Sequence, residues 1–119
     1  MAYATLKYEA LKNFSHEVFQ KMGYTAEEAE IITDVLLTSD LYGIESHGMQ
    51  RMVRYYKSIK NRRLVLGAEK EVVFETPVSA VIDGHDGTGQ LLGHYAMSLA
   101  IEKAKKNGIG IVTVRNSNH

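Results

Sequence analysis

Residues 40–51 contain side chains whose types and spacing suit the handling of a small carboxylate. His47, Arg51 and Tyr55 follow one another at intervals of four, so a helix would align them along one face. An imidazole titrates near neutral pH and can pass a proton to or from a carbinol or carbonyl oxygen. A guanidinium grips a carboxylate through two parallel hydrogen bonds. Because Ser46 can also cap the helix and hydrogen-bond its neighbour, the pattern predicts a candidate substrate site.

An ordinary solvent-exposed helix face would give the same spacing, with His47 exposed near the helix start. Spacing alone favours this structural interpretation by roughly two to one, because helices commonly carry charged stripes. A serine hydrolase is disfavoured, since adjacent residues on a helix project about 100° apart and no strand-turn-helix elbow presents Ser46. The basic residues of this face are Arg51, Arg54, Lys57 and Lys60.

A glycine-rich stretch, residues 83–90, follows a predicted strand and leads into a predicted helix. That placement is compatible with a loop that cradles a phosphate. The stretch matches neither G-x-G-x-x-G nor a Walker loop, however, and Asp83 and Asp86 would repel phosphate. A turn with tight helix packing is favoured by about three to one. His85 and His94 lack a convincing third ligand, so no metal site is predicted.

His119 follows an apolar strand and the polar segment Asn116-Ser117-Asn118. In α/β proteins, functional side chains often lie where buried strands end. An ordinary polar strand exit would look the same, so position alone supports the catalytic and the structural interpretations of His119 equally.

Hydrophobic periodicity predicts the elements that must position these side chains. Thr25 with Glu28 forms a capping-box pattern that begins a second helix, and a turn at Pro77 separates two short strands. The last apolar strand is of the type buried on both faces. The predicted elements are helices over 6–22, from 25 onwards, over 46–60 and over 90–107, strands over 71–76, 79–83 and 109–114, a charged connector over 61–70 and a loop over 84–89.

The order of these elements predicts an α/β (α+β) fold. An N-terminal helical segment, residues 1–65, precedes residues 66–119, which form the first part of an α/β domain. A strand buried on both faces needs more neighbours than two short strands and one helix provide. The sequence is therefore predicted to be a truncated portion of a longer chain.

Composition excludes several classes of function. The 119 residues include 14 basic and 14 acidic residues, so no net charge attracts the chain to nucleic acid or to an anionic membrane. The absence of cysteine excludes disulfides and thiolate zinc sites. No apolar run approaches the ~20 residues that span a bilayer, and the N-terminus lacks a secretory-signal pattern. We therefore expect a cytoplasmic protein.

Three stretches together resemble the type-2 malate/L-lactate dehydrogenases, a family that includes ureidoglycolate, sulfolactate and piperideine-2-carboxylate oxidoreductases. They are residues 40–55 with Ser46-His47-Gly48 and Arg51, residues 81–90, and residues 110–119 with Asn116-Ser117-Asn118-His119. Each motif is weak alone, but the three in this order are specific. The resemblance implies hydride transfer between NAD or NADP and a small 2-oxo or 2-hydroxy carboxylate such as malate, lactate or ureidoglycolate, or a cyclic imine. It also implies the family's own mixed-sheet, non-Rossmann NAD(P)-binding fold.

The resemblance assigns roles to individual residues. His119 matches the histidine regarded as proton acceptor in ureidoglycolate-type members, and it is favoured for a hydroxy-acid substrate. His47, backed by Ser46, matches the proton donor of imine-reducing members. Arg51 matches a residue that holds the substrate carboxylate, and Tyr55 matches one that lines the same pocket.

Members of this family run to several hundred residues, and most of their nicotinamide contacts lie outside the part that corresponds to residues 1–119. The resemblance therefore leaves the cofactor-binding residues unassigned and implies that these 119 residues are inactive alone. It also implies a homodimer, because the family's active site lies where subunits meet. The alternative is a non-catalytic assembly module derived from the same family.

Overall fold

The computed structural model describes residues 3–119, which form helices and a small mixed sheet. The chain divides between Arg54 and Tyr55 into two compact units. The predicted mixed α/β class is confirmed, whereas the division at residue 65 stays a prediction. None of the helices in this part of the chain has the length and apolarity needed to cross a membrane. The elements are α1 (Tyr8–Met22), α2 (Ala26–Leu41), a first and a second 3₁₀ turn (Glu45–His47 and Met49–Arg51), α3 (Met52–Lys60), β1 (Glu71–Glu75), β2 (Ser79–Thr88), α4 (Gly89–Asn107) and β3 (Ile111–Asn118).

In the first unit, α1 and α2 pack against each other, and Phe19, Ile32 and Leu36 are fully buried. The predicted capping box at the start of α2 is confirmed. Thr25 Oγ1 accepts a hydrogen bond from the backbone N–H of Glu28 at 3.2 Å, and Glu28 Oε1 accepts one from the N–H of Thr25 at 3.0 Å. These bonds satisfy backbone donors that the first turn of a helix cannot pair internally.

The predicted continuous helix over 46–60 is wrong in its first part, where the two 3₁₀ turns precede α3. Gly48 separates the turns with an extended backbone, at φ −99° and ψ −148°. Asp40, in the last turn of α2, accepts the backbone N–H of Met49 on Oδ2 at 2.9 Å. The carboxylate thus takes a donor that a continuous helix would bond to its own backbone, and the helix begins again beyond it.

In the second unit, the sheet order is β1-β2-β3, with β1 antiparallel and β3 parallel to β2. α4 makes the crossover that a parallel strand pair requires. Ile82 of β2 and Leu92 of α4 are buried between these elements. At the other end of α4, Lys103 donates to Glu75 Oε1 at 2.7 Å and to the carbonyl of Thr76 at 2.8 Å. The helix is therefore fastened to the sheet near both of its ends.

The loop predicted over 84–89 is wrong, because β2 continues through this stretch and α4 follows it directly. The last two residues of β2 pair with Ser117 and Asn118, which belong to a β3 longer than the predicted 109–114. Glycines and acids in this stretch stand where a predicted strand would have alternating apolar residues. The pairing that makes it a strand is with residues about 30 positions away.

β3 is also more exposed than predicted. Its first four residues alternate between exposed and half-buried, residues 115–117 are all exposed, and Ile111 is 55% exposed. The prediction of burial on both faces fails for residues 3–119, because within them β3 has a neighbouring strand on one side alone. α4 packs against it but leaves its other face uncovered.

The capping box predicts the effect of a single substitution. Thr25→Ala removes the side-chain acceptor at the start of α2 and should lower the free energy of unfolding by about 1 kcal/mol. Thr38→Ala is the matched control, because Thr38 is exposed within the same helix and alanine is the better helix former there. Urea unfolding of the two variants measures both effects. An equal loss of stability in the two would contradict the role assigned to the cap.

Candidate active site

Ser46 and His47 are exposed residues of the first 3₁₀ turn, and their side chains are in contact. Ser46 Oγ lies 2.8 Å from His47 Nδ1, a hydrogen bond in which either atom can donate, depending on the imidazole tautomer. The angular separation expected of neighbours on a regular helix therefore does not keep them apart. An imidazole can exchange a proton at either ring nitrogen, and here the serine hydroxyl lies against Nδ1.

Arg51 closes the second 3₁₀ turn and is tied back to the first. Its Nε donates to the backbone carbonyl of Ser46 at 2.5 Å, and the neighbouring Gln50 amide donates to the carbonyl of Glu45. Within residues 3–119, no hydrogen bond or ion pair is made by the terminal amino groups Nη1 and Nη2 of Arg51. A guanidinium held through Nε directs those two groups as a fork of the kind that binds a carboxylate.

Asp40 and Gly48 fix the geometry of both turns. A Cβ on residue 48 would lie 1.8 Å from Asp40 Oδ1, so no other residue type fits while the carboxylate holds the second turn. The missing side chain of Gly48 therefore leaves the space that the Asp40 carboxylate occupies. The predicted alignment of His47 with Arg51 on one α-helical face is wrong for the same reason, since the chain is extended between them.

Tyr55 lies in the second unit, on α3, and is 3% exposed. Its hydroxyl accepts a hydrogen bond from Gln90 Nε2 at 2.8 Å, which joins α3 to the first turn of α4. Gln90 Oε1 is buried and has no partner in the described part of the chain. A buried amide oxygen without a donor is unfavourable, so this corner of the unit can accept one further hydrogen bond.

His119 directly follows β3, and the residue before it is held on two sides. The Asn118 amide donates to the carbonyl of Asp86 at 3.0 Å and also to the carbonyl of Arg63. The first residue of α4 lies against the same point, since a Cβ on Gly89 would be 2.2 Å from the Asn118 carbonyl oxygen. The end of β3 is therefore fixed by contacts from three other segments of its unit.

Asp83 is a nearly buried carboxylate close to that end, 6% exposed. It accepts the backbone N–H of His85 at 3.0 Å, the amide of Asn116 at 3.1 Å and Arg115 Nε at 2.9 Å. The hydrogen bond from His85, followed by those from Asn116 and Arg115, outweighs burial and lowers the pKa of Asp83 to about 2. The carboxylate is therefore ionised at neutral pH.

The glycine-rich stretch does not form a phosphate cradle. A Cβ on Gly84 would lie 2.4 Å from Leu92 Cδ1, and the equivalent atom on Gly89 would meet Asn118. Protein atoms thus fill the space that a phosphate would need, which supports the predicted tight helix packing. Within residues 3–119 there is also no cluster of three or more histidine, aspartate or glutamate side chains suited to a metal ion.

The structure brings Ser46, His47 and Arg51 together in the first unit and places Tyr55 and His119 in the second. The roles of these five residues stay predictions. Sequence reasoning missed the groups that hold them, namely Asp40, Asp83, Gln90 and Asn118. Most of their partners lie 9 to 55 positions away, where no local pattern marks them. The backbone N–H of His85, two positions from Asp83, is the local exception.

Comparison with known proteins connects this geometry to one family. The sequence model described as malate/L-lactate dehydrogenase matches residues 6–119. A malate dehydrogenase of Pyrococcus abyssi is 46% identical over 117 residues, which are 98% of this chain and 32% of that protein. An L-sulfolactate dehydrogenase of Methanocaldococcus jannaschii is 42% identical over 114 residues, 96% of this chain and 33% of that protein.

A solved structure gives the same result for the fold. The malate dehydrogenase from Pyrococcus horikoshii OT3 superposes with a TM-score of 0.95 at 44% identity, over 98% of this chain and 34% of the solved one. The chain thus spans about a third of the length of the relatives it matches.

The low pKa of Asp83 predicts how stability depends on pH. A carboxyl whose pKa falls from 3.8 to about 2 on folding stabilises the fold above pH 4. That contribution is lost as the pH falls from about 4 to about 2, because over this range the unfolded state binds a proton at Asp83 more readily than the folded state does. Asp83→Asn should therefore flatten the decline of the urea midpoint over this range.

Glu30→Gln provides the control for that measurement, since Glu30 is an exposed carboxyl on α2. It should leave the decline of the urea midpoint between pH 4 and pH 2 as steep as in the parent chain. An unchanged decline in Asp83→Asn would show that Asp83 does not couple protonation to folding.

Proposed function

We propose, from the premise that this chain belongs to the malate/L-lactate dehydrogenase family, that the complete protein transfers a hydride between NAD(P) and a small 2-hydroxy or 2-oxo carboxylate. The family membership confirms the resemblance found in the sequence. The relatives are named for malate, sulfolactate and hydroxycarboxylate. The observation that supports this proposal most strongly is the fork of Arg51, held through Nε beside the Ser46–His47 pair.

Arg51 has the geometry for binding the substrate carboxylate. Its Nε bond to the Ser46 carbonyl holds the plane of the guanidinium, so Nη1 and Nη2 can donate in parallel to both carboxylate oxygens. Binding the carboxylate fixes the position of C2, the carbon that changes oxidation state, relative to Arg51. Orienting the reacting carbon before the reaction removes part of the entropic barrier.

A histidine performs the proton transfer that accompanies hydride transfer. In reduction, C2 gains a hydride and its oxygen gains a proton, and both move in the opposite direction in oxidation. For a hydroxy-acid substrate we assign this proton to His119. His47, whose Nδ1 is bonded to Ser46, then orients the substrate through Nε2, and it becomes the proton donor when a cyclic imine is reduced.

The nicotinamide supplies or accepts the hydride when it is bound. The space beside Gly84 and Gly89 is filled by Leu92 and Asn118, so a pyrophosphate does not fit there. We therefore assign the phosphate contacts to parts of the complete protein other than this stretch. Tyr55, fixed by Gln90, is proposed to line the substrate pocket. The complete enzyme is proposed to be a cytoplasmic homodimer, which mass photometry of the purified protein would test.

Arg51→Lys tests the carboxylate fork in the full-length gene product. Lysine keeps the charge but lacks both the Nε bond and the parallel donors. We expect KM for the 2-oxo acid to rise about 10- to 100-fold, because a bidentate charged contact contributes roughly 1.5–3 kcal/mol. Arg54→Lys, an exposed position on α3, is the control and should retain the parent KM. Equal KM values in the two variants would refute the assignment.

Histidine substitutions test the proton transfer in the same protein. His119→Ala and His47→Ala are each expected to lower kcat, by about 10²- to 10⁴-fold for the residue that transfers the proton. His94→Ala, an exposed position on α4, should have the parent kcat. NAD(P)H oxidation is followed with a panel of 2-oxo acids and a cyclic imine. Full activity of both variants would refute the assignment of the proton transfer to these histidines. Absence of NAD(P)H oxidation by the parent protein with every substrate would support the non-catalytic alternative.

A further inference from the structure

β2 and β3 leave regular pairing together, at a point three residues before His119. Regular register ends at the pair Asp83–Arg115 and resumes at Gly87–Ser117, so three residues of β2 oppose the single residue Asn116 of β3. An irregularity in both strands at the same level redirects the backbone that follows it. In β3, the backbone that follows is the one that carries His119.

Three of the residues in this irregularity have a left-handed backbone. The φ angles are 46° at His85, 61° at Asp86 and 54° at Asn116. None of them is glycine, so each conformation is unfavourable and persists only where the surroundings hold it. Both strands therefore need an interaction that fixes this particular arrangement.

Asp83 provides that interaction for both strands. One carboxylate oxygen accepts the backbone N–H of His85 in β2, and both oxygens lie 3.1 Å from the Asn116 amide in β3. Arg115 donates to the second oxygen at 2.9 Å. His85 is held from its other side as well, since its Nε2 lies 3.0 Å from Glu71 of β1. The left-handed residues on the two strands are thus tied to a single nearly buried group.

A second contact links this irregular segment to the end of β3. The carbonyl of Asp86 accepts the Asn118 amide at 3.0 Å, so the left-handed backbone at Asp86 determines where Asn118 is held. His119 is attached to Asn118 by one peptide bond. A change in the conformation of residues 84–86 would therefore change the position and direction of the His119 side chain.

We infer that Asp83 is a positioning residue, which directs the imidazole of His119 by holding the matched irregularities of β2 and β3. This inference rests on the proposed role of His119 in proton transfer. Asp83 itself contacts backbone and side-chain donors of its own unit. Its effect on the reaction is expected to arise through His119 alone.

Asp83→Asn is the variant that tests the inference in the full-length gene product. Asparagine has the same shape but turns one acceptor into a donor that faces Asn116 and Arg115. We expect kcat to fall about 10- to 100-fold, as happens when a reacting group is displaced by a fraction of an ångström to an ångström. KM should stay within about 2-fold, since Arg51 is untouched, and the limb of the kcat/KM–pH profile that reports His119 should shift.

Lys103→Met is the matched control for a general loss of stability. It removes the buried ammonium that joins α4 to Glu75 and Thr76, at the end of β2 remote from Asp83. It should lower the melting temperature and leave kcat and its pH profile unchanged. If Lys103→Met lowers kcat as much as Asp83→Asn does, the effect is one of stability and the inference is overturned.

A double-mutant cycle with His119→Ala separates this inference from the proposed function. If Asp83 acts through His119, Asp83→Asn should lower kcat less than 3-fold in the His119→Ala background. Multiplicative losses would overturn the inference and leave the role of His119 intact. An unchanged kcat in His119→Ala alone would overturn the proposed role of that histidine first.

Asn116→Ala serves if Asp83→Asn does not fold. It removes one donor to Asp83 and leaves those from His85 and Arg115 in place. The same loss of kcat, the same coupling to His119→Ala and an unchanged KM are expected. Parent-like kcat in a folded Asn116→Ala protein would contradict the inference, because the left-handed residue in β3 would then not determine the position of His119.

Discussion

The geometry of the second unit depends on the ionised carboxylate of Asp83. With regular pairing alone, β3 would stay in register with β2 along its whole length. Here the pairing is broken on both strands at the same level and then restored. Asp83 spans this break, because it accepts hydrogen bonds of 2.9 to 3.1 Å from donors on both strands. Its low pKa is a consequence of the same bonds.

The first unit uses the same physical device. Asp40 accepts the backbone N–H of Met49 and fixes the point where the chain leaves a helix and begins another turn. In both units an aspartate satisfies a backbone donor that regular secondary structure would otherwise pair. Asp40 precedes Ser46 by six residues, and Asp83 pairs with Arg115, which lies four residues before His119. The irregular backbone at these positions is therefore held in one conformation by hydrogen bonds. Rigid support of this kind is what the positioning of reacting groups requires.

The sequence predicts the periodic parts of this fold and fails at the irregular ones, for a physical reason. α1, the cap of α2, β1 and α4 follow from local spacing, since each is determined by residues a few positions apart. The predictions for residues 46–51 and 84–89 are wrong because the carboxylates of Asp40 and Asp83 accept backbone donors within these stretches. The candidate residues themselves were found from their types and from the family resemblance. Most of their hydrogen-bond partners are determined by the tertiary fold, because a partner about 30 residues away leaves no local pattern.

A glycine-rich stretch at the end of a strand can bind a nucleotide or can allow neighbouring elements to pack closely. What fills the space beside the glycines distinguishes the two cases. In a dinucleotide-binding loop, glycine leaves space that the pyrophosphate fills. Here the corresponding space at Gly84 is filled by Leu92 and that at Gly89 by the backbone of Asn118. The glycines allow α4 and β3 to approach β2 closely, and this approach places the residue before His119 against the first turn of α4. The same composition therefore serves close packing of helix and strands in this chain.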